Sequence, residues 1–339
     1  MRKRYLVTGC AGFIASKVAE MLLQSGCQVV GIDNLNDTYD PRLKDWRLAQ
    51  LKAYSDFRFH QMDIVHRPAL AAVFAGDAHA PENDELERRP YSAVLNLAAR
   101  VGVRPSVENP WLYQQTNGEG TLNLLEMCRQ HGIPKFVLAS TCSLYGRDNA
   151  VPFREDADTS QPLSPYAASK KAAETLAYTY HHLHGLDVSV LRYFTVYGPA
   201  GRPDMSVFLF IRRIAEGEAL VLFGDGRQSR DFTYIDDIAR GTIAALKPLG
   251  YEIINLGGDH PVQMSTIIRR VGELVGQEPR IARRPPHAAD VPATWADVGK
   301  AHELLDWSPR VAIEEGLCRT VTWYRQNREM ILQLTMENP

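Results

Sequence analysis

Short apolar runs recur through the first two-thirds of the chain, each closed by a polar or glycine-bearing turn and followed by an amphipathic stretch. Residues 5–7, 29–32, 57–61, 93–97, 136–139 and 188–191 read as strands, being too short and too rich in β-branched or aromatic residues for helices. Between them, apolar positions recur at three- and four-residue spacing, as over 13–24 and 120–130, and predict helices. Regular alternation of buried strands with helices implies a parallel sheet covered on both faces. The expected class is therefore α/β, a Rossmann-type doubly wound parallel sheet.

After about residue 197 the texture changes. Gly198-Pro199-Ala200-Gly201-Arg202-Pro203 reads as a stiff loop. It is followed by an expected helix over 207–216, short strands at 220–223 and 232–234, and helices over 236–245, 265–275 and 313–327. Short mixed elements after a long parallel section predict a smaller C-terminal α+β lobe. The expected division is 1–197 for the first lobe, with later segments returning to it, and 198–339 mainly for the second. Residues 77–90 are polar and proline-bounded and read as a surface insertion.

Composition narrows the classes. The chain has 339 residues, 45% of them hydrophobic, enough for a large core. Its 38 basic and 40 acidic residues nearly cancel, so nothing draws it generally to nucleic acid or to an anionic membrane. No apolar run approaches the roughly 20 residues that span a bilayer. Met1-Arg2-Lys3-Arg4 is basic, but the apolar run behind it is only a strand long, which is not a signal peptide. Cys10, Cys27, Cys128, Cys142 and Cys318 show no metal-ligand spacing. The expectation is a cytoplasmic protein with reduced thiols and no metal.

The chemistry begins at Thr8-Gly9-Cys10-Ala11-Gly12-Phe13-Ile14-Ala15, between the first strand and the first helix. A tight turn without side chains lets a pyrophosphate approach the N–H groups of a helix N-terminus. Two glycines can also serve such a turn for steric reasons alone. Asp33 ends the second strand, where a carboxylate binds adenosine ribose hydroxyls, and Asp63-Ile64 closes the third. Downstream, Tyr166 and Lys170 are one helical turn apart and share a face. A phenol is a poor base at neutral pH unless positive charge stabilises its phenolate, and an ammonium can do that. Ser140-Thr141-Cys142-Ser143-Leu144-Tyr145-Gly146 places hydroxyls at a strand C-terminus, the edge that faces a ligand crevice.

These motifs together resemble the extended short-chain dehydrogenase/reductases, specifically the NAD-dependent nucleotide-sugar epimerases and dehydratases. Ala15 stands where a third glycine is usual, the mildest change at a packing point. Within that family the likeness is greatest to UDP-glucuronate 4-epimerases. It is carried by Gly31 to Pro41 with Leu43-Lys44 and Arg47-Leu48, by Asn96 to Arg104 with Ser106 and Glu108-Asn109-Pro110, and by Arg192 to Met205. It extends through Arg230 to Asp237 and weakly through Asp290 to Thr294.

The resemblance implies a tightly held, recycled NAD. Gly9, Gly12, Phe13, Ile14, Asp33, Asn34, Asp63, Ile64, Ala98, Ala99, Asn117, Ser140 and Tyr193 would line its site, together with Tyr166 and Lys170. It implies that Thr141, Ser143 and Tyr166 meet the reacting C4 hydroxyl of a UDP-sugar, with Lys170 tuning the tyrosine. Thr195 and Arg202 match positions that hold a C6 carboxylate. Arg104, Arg230 and Asp290 match further substrate positions, the last two near the UDP phosphates and ribose. An ion pair of Arg202 with Asp204, or of Arg230 with Asp231 or Asp237, is the plain structural alternative. The implied reaction takes the C4 hydroxyl proton to Tyr166 and the C4 hydride to NAD, then returns the hydride to the other face of a 4-keto sugar.

Related decarboxylases carry glutamate at the place of Ser143, and related 4,6-dehydratases an Asp-Glu pair across Cys142 and Ser143; neither carboxylate is present. Three other readings stand beside the uronate epimerase: a 4-epimerase of neutral UDP-glucose or UDP-N-acetylglucosamine, a dehydratase using Cys142 as proton donor, and a non-catalytic NAD sensor. The family also suggests a homodimer through two helices per subunit, with Leu122, Leu124, Leu125 and Ala172, Leu176, Tyr180 as apolar faces; the same faces could pack on the sheet instead.

Overall fold

A computed structural model describes residues 2–76, 90–285 and 291–335. Of the expected insertion, 77–89 lie outside the described residues, as does Asp290. Six strands alternate with helices in the first part of the chain: β1 (Arg4–Thr8), α1 (Phe13–Gln24), β2 (Gln28–Asp33), α2 (Arg42–Lys52), β3 (Phe57–Gln61), α3 (Arg67–Ala75), β4 (Ala93–Asn96), α4 (Val103–Glu108), α5 (Pro110–Tyr113), α6 (Gly120–Gln130), β5 (Lys135–Thr141), α7 (Pro165–His184) and β6 (Asp187–Tyr193). Then come β7 (Thr195–Tyr197), α8 (Ser206–Ala215), β8 (Leu220–Phe223), β9 (Ser229–Tyr234), α9 (Ile235–Ala244), β10 (Tyr251–Leu256), β11 (Pro261–Gln263), α10 (Met264–Val275), β12 (Ile281–Arg284), α11 (Gly299–Leu305), α12 (Ile313–Gln326) and α13 (Arg328–Leu332).

The main sheet has seven strands in the order β10-β6-β5-β4-β1-β2-β3. Every pairing in it is parallel. Chain order reverses between β1 and β4, so their C-terminal ends diverge and open a crevice at the topological switch. Register fixes what reaches that edge: Thr8 is opposite Ile32 and Asn96, Asp33 opposite Gln61, and Thr141 opposite Tyr193.

One face of the sheet packs on α1, α9 and α11 through Val18, Leu22, Ile238 and Trp307. The other packs on α3, α6 and α7 through Leu70, Leu124, Leu125, Ala173 and Ala177. Three-layer burial explains why the strands read as apolar runs. The expected strands and helices of the first lobe are present. A finding beyond them is β10, which leaves the second lobe to pair with β6 at the edge of the main sheet.

The second lobe has a three-stranded sheet, β11-β9-β7, and a two-stranded one, β12-β8. Its core gathers Phe208, Ile211, Ile267 and Leu317, and it also takes in Phe13 from α1 and Leu43 from α2. The two lobes therefore share a core directly behind the glycine turn.

Candidate active site

The glycine turn is shaped as the sequence predicts. Gly9 has φ +70°, and a Cβ there would come within 2.8 Å of the Ala98 Cα atom. A Cβ on Gly12 would come within 2.9 Å of the Gly9 carbonyl oxygen. Gly12 is the N-cap of α1 and offers no side chain, so the first-turn amides of Phe13 and Ile14 have no capping acceptor. The Ile14 side chain packs against the cores and the Phe13 ring joins that of the second lobe, so at the turn itself it is their backbone that meets a ligand. An uncapped helix end behind a cradle that any Cβ would fill fits the pyrophosphate of a dinucleotide.

Asp33 braces this turn. One carboxylate oxygen accepts from the Ala11 N–H at 3.1 Å and the other from the Leu35 N–H at 2.8 Å, which leaves further lone pairs for ribose hydroxyls. Asn34 donates to Asp63 at 2.7 Å, and Asp63 in turn accepts from the Val65 N–H at 3.0 Å. Ile64 has its side chain in the core against Gly120 and its carbonyl on Asn123. Ala98 and Ala99 flank the crevice, and the Ala98 N–H is fixed by Thr8 Oγ1 at 3.1 Å.

Three of the expected cofactor contacts have side chains engaged within the protein. Asn117 accepts from the Arg100 N–H at 2.9 Å and donates to the Arg100 carbonyl and to Ser169, binding the loop after β4 to α7. Ser140 donates to Glu174 at 2.6 Å, because even-numbered positions of β5 face α7 and not the crevice. Tyr193 lies in the core with its hydroxyl on Thr242 at 2.8 Å. All three side chains brace the walls of the crevice.

Tyr166 and Lys170 stand on the first turns of α7. That helix starts sharply, with Ser164 capping the Ala167 N–H at 3.2 Å and Pro165 in the first turn. Tyr166 is 8% exposed. Burial pushes its phenol up to about 12, while a hydrogen bond with Thr141 and the nearby Arg202 guanidinium pull it the other way. The Tyr113 ring packs edge-on against it at 6.2 Å, and the Tyr113 hydroxyl holds the Val101 carbonyl at 3.1 Å. Lys170 donates to the Ala139 carbonyl at 3.0 Å. Burial pushes its ammonium down to about 8, with Glu174 opposing.

Glu174 is itself held in a buried bidentate pair by Arg192, at 3.0 and 2.9 Å. Thr141 caps the short turn 142–145, accepting the Ser143 N–H at 3.2 Å and donating to the Ser143 hydroxyl at 3.2 Å. Cys142 packs beside Tyr145, Phe153 and Phe194, and burial pushes its thiol up to about 12. A thiol in that state is neither a thiolate nor a ready nucleophile.

Across the crevice, Phe13, Thr195, Arg202 and Phe208 line one pocket. The Arg202 fork grips Asp204 through Nε at 3.0 Å and through Nη2, so the plain structural alternative is present in this state. Arg230 donates to the Ser229 carbonyl at 2.8 Å and acts electrostatically on Cys142. The two carboxylates considered as its partners also hold other groups. Asp231 accepts from Gly258 and Ala296 amides, and Asp237 from Arg240 and the amides of Arg310 and Val311. Arg104 lies over the Phe223 ring at 3.9 Å, bridging the loop after β4 to the second lobe.

Residues that the sequence reading gave no role include Arg47, Tyr39, Arg100, Tyr113 and Glu174. Arg47 and Tyr39 belong to a stretch that carries the family likeness, which is the only signal that singles them out.

A Rossmann sheet with this glycine cradle and a tyrosine and lysine on one helix defines the class, and the chain belongs to the NAD dependent epimerase/dehydratase family, which matches residues 5–257. It is 56% identical to the UDP-glucuronate 4-epimerase of Thermodesulfobacterium geofontis over 328 residues, covering 96% of this chain and 98% of that protein. The Bacillus cereus UDP-glucuronic acid 4-epimerase, solved in complex with UDP-glucuronic acid and NAD, superposes with a TM-score of 0.85 at 35% identity, over 95% of this chain and 99% of that one. The Thermotoga maritima UDP-glucose 4-epimerase, solved with UDP-glucose, gives a TM-score of 0.85 at 31% identity, over 96% and 99%.

Proposed function

We propose that the chain is an NAD-dependent UDP-glucuronate 4-epimerase, interconverting UDP-glucuronate and UDP-galacturonate. The observation that carries this reading is the pocket that Arg202 shares with Thr195 beside the end of the main sheet. The charge of that guanidinium also pulls the buried Tyr166 phenol down. A cation built beside the C4 base is what a sugar with a C6 carboxylate requires. The 56% identity to a named UDP-glucuronate 4-epimerase over nearly the whole of both chains points the same way.

NAD, when bound, supplies the hydride acceptor and donor for C4. The α1 amides and the Gly9–Gly12 cradle bind its pyrophosphate, and Asp33 takes a ribose, where its carboxylate would repel a 2′-phosphate. Tyr166 takes the C4 hydroxyl proton and returns it. Thr141 and Ser143 orient that hydroxyl, and the Lys170 ammonium, held at the end of β5, adds positive charge. Asp204 fixes the Arg202 fork through Nε and Nη2, leaving the Nη1 edge with Thr195 for the carboxylate. Arg104, Arg230 and Asp290 serve the rest of the UDP-sugar. Cys142 packs and does no chemistry.

The first lobe carries the dinucleotide and the second mainly the UDP-sugar. Of the apolar faces considered for dimerisation, Leu124, Leu125, Leu176 and Tyr180 pack into the core beneath the sheet and Leu122 on α6 is exposed; on α7 the exposed apolar residues are instead Tyr178 and Leu183. These two adjacent helices support a homodimer. The five cysteines are unpaired and no described helix is long and apolar enough to cross a membrane, which supports the cytoplasmic reading.

Proton NMR of the purified protein with UDP-glucuronate and no added cofactor tests the proposal. Growth of UDP-galacturonate signals to a stable mixture is expected. UDP-pentose with CO₂ would mean a decarboxylase. No change with NAD supplied would remove the uronate reading and favour the neutral-sugar one.

A further inference from the structure

We infer that Arg47 is the positioning residue for substrate-carboxylate recognition, bolting the loop that carries Arg202 to the dinucleotide turn. The inference rests on the uronate reading above. Arg47 stands on α2, 2% exposed, and contacts neither ligand site directly through a reactive group. A guanidinium has five N–H donors, and here each has an acceptor. Nε and Nη2 converge on the Ala200 carbonyl at 3.0 and 2.7 Å, and Nη2 also reaches the Gly201 carbonyl at 3.2 Å. Nη1 donates to the Ala11 carbonyl at 3.0 Å and to the Tyr39 hydroxyl at 2.7 Å.

Those acceptors divide between the two sites. Ala11 belongs to the glycine turn, and its N–H is the one held by Asp33. Ala200 and Gly201 immediately precede Arg202. Ala200 is a non-glycine residue at φ +53°, a conformation that L residues hold only when their surroundings impose it. The converging Arg47 donors supply that constraint. Tyr39 makes a second route, since its hydroxyl accepts from Arg47 while its ring faces the Arg202 guanidinium at 6.0 Å. Arg202 is thus set both through its backbone and through the aromatic ring beside it.

The acceptors of Arg47 are all neutral oxygens. Burying a cation against neutral partners is a poor way to gain stability, because its desolvation is large. A fixed five-point fork between two loops is a good way to gain geometry. The expected return is the angle at which Arg202 meets a carboxylate, where bidentate recognition tolerates little displacement.

The test measures Kd for UDP-glucuronate and UDP-glucose on the holoenzyme in a Tyr166→Phe background, so that neither sugar turns over. The quantity read is the ratio of the two constants, which isolates the carboxylate. In the parent, UDP-glucuronate should bind at least about tenfold more tightly, and Arg202→Met should bring the ratio near one. Arg47→Met should lower the ratio about tenfold while leaving Kd for UDP-glucose within about twofold. Arg47→Lys keeps the charge but not the fork; should the methionine variant fail to fold, a fall of at least about threefold in the lysine variant carries the same conclusion. An unchanged ratio, whatever happens to thermal stability, would make Arg47 a scaffold residue and overturn the inference. A parent ratio near one would remove the uronate reading itself.

Discussion

Replacing Lys170 with methionine should make the protein more stable at neutral pH while disabling it. Burial holds the Lys170 ammonium at about 8, below its ordinary 10.5. Below pH 8 both folded and unfolded chains carry the proton, and the folded state bears the whole desolvation penalty, roughly 3 kcal/mol. Between pH 8 and 10.5 the unfolded chain binds more protons than the folded one, so this penalty shrinks as pH rises. Above 10.5 both are neutral and it is gone. Methionine fills a similar volume, removes the penalty and forfeits the hydrogen bond to the Ala139 carbonyl, worth about 1 kcal/mol net. The expected gain at pH 7 is therefore about 2 kcal/mol, or about 3 °C in Tm for a chain of this size. By pH 10 the residual penalty is about 1 kcal/mol and the advantage should vanish. Thermal unfolding of both proteins, stripped of cofactor and scanned at pH 7 and pH 10, reads this directly. Activity should fall at least about 100-fold. A variant less stable at pH 7, or an advantage that persists undiminished at pH 10, would refute the reasoning.

Tyr166→Phe should lower kcat by about 10³ or more, because it removes the proposed acceptor of the C4 proton; cofactor content, read by absorbance after denaturation, should be unchanged. Cys142→Ala should keep kcat within about threefold, given a packed thiol pushed up to about 12. In wild type, iodoacetamide at pH 8 should modify the exposed Cys318 well before Cys142, as mapped by peptide mass. A loss beyond about 100-fold in Cys142→Ala would revive the dehydratase reading.

Much of this architecture is legible in the chain because the constraints are local. Buried parallel strands show as apolar runs, and the turn at Gly9 needs glycine since φ +70° and the close approach to Ala98 exclude a side chain. Tyr166 and Lys170 share a helix face by their spacing, and their place after the glycine turn and the hydroxyl-rich strand end singles them out. What escaped depends on register and partner choice. Ser140 is a hydroxyl at the correct strand end, but strand alternation turns it to Glu174, and nothing local says which face is the crevice. The side chains of Asn117 and Tyr193 are likewise engaged, on Arg100 and Thr242, which only the folded chain reveals. A return of later segments to the first lobe is expected from the sequence, but that Tyr251–Leu256 is the returning strand follows only from its long-range pairing with β6. Arg47 is one arginine among many until the fold brings residues 153 positions away onto its fork.

The electrostatics of the crevice follow from the same distinction. The chain is formally −2, yet Lys44, Arg47 and Arg202 all face the Tyr39 ring, and Lys44 further feels Arg100. Net charge says nothing of such a local field. Burial alone drives Tyr166 and Lys170 toward their neutral forms, the wrong direction for a phenolate base beside an ammonium. Positive charge must then reverse the drift at the tyrosine. A uronate makes the problem harder, because its carboxylate near a forming phenolate opposes proton removal by like-charge repulsion. On the proposed reading, the Arg202 guanidinium, whose charge favours the phenolate, also receives the carboxylate and answers the two demands at once. Arg202 is then expected to govern the rate as much as the specificity, since a neutral sugar places no comparable demand on it.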